Sequence, residues 1–106
     1  GNGLSVSRQL YKGDEALNES APLKVGDKIT VRLTVKADRD MDFVQIKDDR
    51  AACMEPLQAV SGFRWSNGLG YYQATKDAST QFFIDRMRKG TYVIEYPVYV
   101  NRTGEY

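Results

Sequence analysis

Ten residues, Lys28 to Ala37, carry the strictest pattern in the chain: Ile29, Val31, Leu33 and Val35 alternate with Lys28, Thr30, Arg32, Thr34 and Lys36. A period of two is the period of a strand, whose successive side chains point to opposite faces. One face this apolar beside one this polar belongs to an antiparallel sheet with a buried side and a wet side. Slipping the pairing by one residue would carry every apolar group into water, so the pattern also constrains the register. Val25-Gly26-Asp27 supplies a turn before it.

The same period recurs along the chain. Leu4, Val6, Arg8 and Leu10 alternate with Ser5, Ser7 and Gln9, which reads as a first strand at a sheet edge. Residues 13–22 are polar and turn-rich and read as a loop. Asp38-Arg39-Asp40 is a charged turn, and residues 41–47, with Phe43, Val44 and Ile46, form the next strand. Residues 48–62 hold Pro56 and no period, the mark of a long irregular connection. Phe63-Arg64-Trp65 is a short strand, Ser66-Asn67-Gly68 a turn, and residues 70–75 a strand. Residues 80–87 follow, with Phe82 and Ile84 on one face. In residues 91–100, Tyr92, Ile94, Tyr96, Val98 and Val100 share a face. Pro97 lies on the other parity, which places this strand near an edge or at a bulge.

About seven short strands and no helical period predict an all-β fold, an antiparallel two-sheet β-sandwich. Its expected core is Ile29, Val31, Leu33, Val35, Val44, Ile46, Phe82, Ile84, Ile94 and Val98. Asn101-Arg102-Thr103-Gly104 reads as a turn, and Glu105-Tyr106 as the start of a further strand. A domain seldom stops two residues into a strand. The expectation is therefore one domain, residues 2–106, taken from a longer polypeptide, with Gly1 left by tag removal and the last strand truncated. The edge this leaves along residues 91–100 predicts weak self-association.

Several kinds of chemistry are excluded. The chain has no histidine, which removes the commonest general base and metal ligand and every Ser-His or Cys-His nucleophile. Fifteen Lys and Arg stand against 14 Asp and Glu, without the basic excess of a nucleic-acid binder. No apolar run reaches the roughly 18 residues of a membrane span. A single cysteine, Cys53, rules out an internal disulfide and a cysteine-built metal site. Asp38, Asp40 and Asp42 resemble the start of a calcium loop but lack its later Gly and Glu. With Arg39 and Arg50 nearby, they and Asp48-Asp49 read as solvated turns with local ion pairs. Asp40, Asp42 and Asp85 show no spacing that specifies a hydrolase carboxylate pair. Catalytic residues, cofactors and metals are therefore all expected to be absent. What remains is an aromatic group, Phe63, Trp65, Tyr71 and Tyr72, around a glycine-rich turn. It reads either as core filling or as a recognition surface.

Three segments resemble one family. They are residues 26–38 followed by Asp42-Phe43-Val44-Gln45-Ile46-Lys47-Asp48, then Arg50-Ala51-Ala52-Cys53-Met54-Glu55-Pro56, then Lys89-Gly90-Thr91-Tyr92-Val93-Ile94-Glu95-Tyr96 with the Arg102-Thr103-Gly104 turn. Their order is similar to that of the domain near the C-terminus of bacterial alpha-2-macroglobulin-like proteins, with the middle of the chain most like large Bacteroidetes members. Ala51-Ala52-Cys53-Met54 departs from the family's Pro-Ala-Gly-Phe. The resemblance implies a macroglobulin-like, immunoglobulin-like sandwich without catalysis, inside a protease-trapping protein of the periplasm or cell surface. The partners it implies are neighbouring domains of the parent and, through the parent, target proteases, with no nucleic acid and no membrane contact. In the family a tyrosine of this domain can shield a thioester elsewhere in the parent. Tyr71 and Tyr72, with Trp65, are the candidates here for shielding or domain contact. Cys53 itself precedes Met54-Glu55-Pro56, so no thioester glutamine follows it. The rival reading is an adhesion or carbohydrate-binding sandwich that stacks sugars on Trp65, Tyr71 and Tyr72.

Overall fold

The computed structural model describes residues 3–18, 22–58, 60–66 and 68–101. Nine strands are formed: β1 (Leu4–Lys12), β2 (Glu15–Ala16), β3 (Lys28–Ala37), β4 (Met41–Asp49), β5 (Met54–Pro56), β6 (Gly62–Ser66), β7 (Leu69–Thr75), β8 (Ser79–Met87) and β9 (Gly90–Val100). They pair antiparallel in two sheets, ordered β2-β1-β3-β9-β5 and β4-β8-β7-β6. The expected sandwich is what the chain forms, with two strands more than the pattern suggested. The expected turn and strand start over residues 102–106 lie outside the described residues.

β3 has the bounds its alternation predicts, and its apolar side is almost fully buried. It is the centre of the larger sheet, pairing with β1 from Leu4↔Ala37 to Tyr11↔Thr30 and with β9 from Lys28↔Tyr99 to Ala37↔Gly90. All ten expected core residues are buried, joined by Leu10, Met54, Leu69, Tyr71, Met87 and Tyr96 among others. Burial of this kind stabilises by roughly 25 cal/mol per Å² of apolar surface.

Two loop expectations need correcting. Residues 13–22 include β2, and residues 48–62 include the end of β4, all of β5 and the start of β6. Elements of two or three residues are too short to show a period. β5 exists because β9 offers it a register, Met54↔Val100 to Pro56↔Val98. β9 is therefore interior in strand order, yet on its side away from β3 it meets β5 only at its end. Pro97 sits where that cover stops, its carbonyl accepting the Leu57 N–H at 3.1 Å. A missing N–H costs nothing on that side.

The β4–β8 ladder holds an irregularity. Pairing runs Met41↔Met87 and Asp42↔Arg86, then resumes at Val44↔Ile84 without a Phe43–Asp85 pair. Phe43 has φ 55°, a left-handed conformation rare for a bulky residue. The step changes which parity faces inward on both strands. Val44 and Ile84 point into the core on one side of it, and Met87, 0% exposed, does so on the other. Phe43 is left 86% exposed.

Candidate functional site

The aromatic residues around the β6–β7 hairpin divide between two faces. In β7, Leu69 and Tyr71 point into the sandwich, and Tyr72 points out. Tyr71 is 6% exposed, its ring edge-on to Phe82 with centroids 5.8 Å apart. Burial pushes its phenol above the ordinary tyrosine range, with Arg64 pulling weakly the other way. Of the three candidates, Tyr71 is thus a core residue, while Trp65 is exposed and Tyr72 partly exposed at the surface.

Trp65 is 75% exposed and Phe63 83%. Both lie on the outer face of the four-stranded sheet, because β6 alternates Phe63 and Trp65 outward with Arg64 between them. Cross-strand pairing fixes their neighbours. Phe63 faces Tyr72, and Tyr72 in turn faces Phe83, which is 38% exposed. The Phe63 and Tyr72 rings meet edge-to-face at 5.0 Å and 79°. Trp65 pairs with Gly70, and its indole lies across that residue. A Cβ on Gly70 would come within 3.2 Å of two indole carbons, so glycine is what lets the ring lie down on the strand. A cleft of about 370 Å³ runs alongside, lined by Trp65, Gly70 and Tyr72 with Arg64, Asp85 and Arg86.

The acidic candidates are engaged in structure. Asp48 is buried between the sheets, where it accepts a hydrogen bond from Arg8 Nε at 2.8 Å and a short one from the Tyr96 hydroxyl. Arg8 belongs to one sheet and Asp48 to the other, so this pair closes one side of the sandwich. Burial, then the Asp48 carboxylate, raises the Tyr96 pKa far above the usual phenol value. Arg50 donates to Thr80 Oγ1 at 2.7 Å and to the carbonyls of Lys76 and Asp77, pinning the β7–β8 turn. Asp38 is paired with Arg39 at 2.9 Å, and Asp40 accepts the Lys89 N–H at 2.8 Å. Among the described residues no three Asp, Glu, Cys or His side chains gather as a metal-ligand set. Cys53 is buried, as a small hydrophobe.

A second recess, of about 160 Å³, opens between the sheets at the β6–β9 side. Gln73, Thr75 and Tyr96 line it, with Arg64 and Glu95. Among the described residues the Thr75 hydroxyl has no hydrogen-bond partner there. A polar recess of this size has room for a few waters.

Sequence reasoning found Trp65 and Tyr72 but missed Phe83. Phe83 was legible as the off-parity aromatic of β8.

A family model described as Bacterial Alpha-2-macroglobulin MG10 domain matches residues 3–106. No curated protein and no solved structure matches the chain.

Proposed function

The chain belongs to the bacterial alpha-2-macroglobulin MG10 domain family, and from that premise we propose that it is a non-catalytic structural and interaction module of a protease-trapping protein. The observation that carries this reading is the family match, which spans nearly the whole chain. The parent is a large Bacteroidetes-type member that works in the periplasm or at the cell surface, and this module stands near its C-terminus. Neighbouring domains are its direct partners, and proteases are partners of the parent. If the parent carries a thioester, Tyr72 and Trp65 are the residues available at the surface to shield it.

The carbohydrate-binding alternative gains from the exposure of Trp65 and Phe63 and loses from their geometry. Rings at 79° do not make the flat platform on which a sugar stacks, and Tyr71 is inside.

The test uses the full-length polypeptide incubated with a purified protease. Cleavage of a large protein substrate is followed beside cleavage of a short peptide. Trapping predicts that the large substrate is spared while the peptide is still cut. Unchanged cleavage of the large substrate by the protease would overturn the reading.

A further inference from the structure

An outer sheet face of a lone sandwich is normally polar, since nothing but water meets it. Phe63, Trp65, Tyr72 and Phe83 break that rule in one cross-strand cluster. Together they expose on the order of 500 Å² of aromatic surface, at the upper end of the largest apolar patch of an ordinary monomer. The cluster is also held in place. Trp65 rests on Gly70, and Phe63 is braced against Tyr72. Rings fixed before contact lose little freedom on binding.

Charge on this face is balanced. Arg86 and Asp85 line the cleft together, and Asp42 pairs with Arg86 across the β4–β8 ladder. Arg64 shares the inner parity of β6 with Gly62 and Ser66, opposite to Phe63 and Trp65.

Area decides between a free partner and a tethered one. A stable complex of separate molecules buries about 800 Å² on each side. The aromatic patch falls short of that figure, as a free homodimer face or as a site for an independent protein. Domain contacts within one chain begin near 600 Å² in total, because the tether supplies a high effective concentration.

We infer that this face is the seat of an adjoining domain of the same polypeptide, which presents apolar side chains to Phe63, Trp65, Tyr72 and Phe83. The inference rests on the reading of the chain as one module of a multidomain protein, and it adds which surface docks and what chemistry meets it.

Hydroxyl-radical footprinting tests it residue by residue. Oxidation rates of Phe63 and Trp65 are compared between the isolated 106-residue chain and the full-length polypeptide. Docking predicts several-fold slower oxidation of both in the full-length protein, with Tyr71 slow in both. Trp65→Asp should raise the Phe63 rate again in the full-length protein and leave the melting temperature of the isolated chain nearly unchanged, since Trp65 lies outside the core. Equal rates in the two proteins would overturn the inference. So would protection that appears in the isolated chain as its concentration rises, which would mean a second copy, or protection of the isolated chain by chitohexaose or maltohexaose, which would mean a sugar. Full-length protein that fails to trap protease yet protects this face would sink the functional proposal and leave the docking surface standing.

Discussion

The two outer faces of this sandwich hang on one core and have opposite characters. On the five-stranded sheet, β3 shows Thr30, Arg32, Thr34 and Lys36 to the outside. Arg32 reaches Glu95 on β9 at 2.5 Å and lies over the Tyr11 ring on β1 at 4.2 Å. Arg32 thus finds a charge and a ring on the two strands that flank its own. On the four-stranded sheet the cross-strand neighbours are aromatic, and Phe63 and Trp65 stay largely exposed. A face that satisfies itself can stay in water. Average composition cannot separate the two, since both are made of strands of similar length from a chain of nearly neutral charge.

The largest expected effect comes from removing what both faces share. Leu33→Ala empties a fully buried site under the centre of the larger sheet and should cost about 2–5 kcal/mol in denaturant unfolding. A midpoint that hardly moves would mean the core has been misplaced.

Next is the link between the sheets. Tyr96→Phe takes a donor away from buried Asp48 and should cost about 1–3 kcal/mol. It also changes the alkaline limb of stability. The phenol of Tyr96 ionises far more readily in the unfolded chain, near its ordinary value of 10.0, than in the folded one. The unfolded state therefore loses protons first, and stability present below that pH declines as pH rises above it. Tyr71 acts in the same direction. The wild type should lose stability steeply above pH 10, and Tyr96→Phe less steeply. Parallel pH profiles for the two would refute the linkage.

A smaller change falls on the aromatic face alone. Gly70→Val places a branched side chain where the indole lies, and Trp65 must lift away. The expected cost is of order 1 kcal/mol, with β-branching favouring the strand and ring displacement opposing it. Oxidation of Trp65 should rise, and Tyr71 should not respond. On the opposite face, exchanging Arg32 and Glu95 for each other keeps the ion pair and should cost no more than the roughly 0.5–1 kcal/mol of the lost Arg32–Tyr11 contact. A large loss there would show that the polar face is as specifically built as the aromatic one.

The faintest signal expected is self-association. Along residues 91–96, β9 has no strand on its side away from β3 among those described, and Ser66 Oγ only approaches the Val93 carbonyl, at 3.4 Å. Sedimentation across a concentration series should show weak, reversible association, and a strict monomer would mean that this side is already covered.

The sequence disclosed most where a strand is long and one-sided. β3, β8 and β9 were readable to within a residue or two because burial on one face forces a period on them. β2 and β5 were not, because their existence depends on the partner strand and not on their own residues. The same limit explains Met87. Simple alternation from Phe82 and Ile84 points it at water, and only the unpaired step at Phe43 and Asp85 turns it inward. At the site, the division of Tyr71 from Tyr72 was recoverable in principle. Leu69 shares a parity with Tyr71, and starting the strand there instead of at Gly70 would have put Tyr71 inside. Gln73 on that inner face, 8% exposed, is what hid the pattern.

The position of Trp65 has a practical consequence for anyone who works with this domain in solution. It is the chain's sole tryptophan, and it sits outside the core, already three-quarters exposed. Its emission colour will hardly change when the domain unfolds, so a fluorescence melt would report a stable protein long after the sheets had come apart. Near-ultraviolet dichroism of the enclosed tyrosines, Tyr71 and Tyr96, follows the core instead. The indole is left as a nearly silent background against which anything that covers the aromatic face becomes visible as a blue shift.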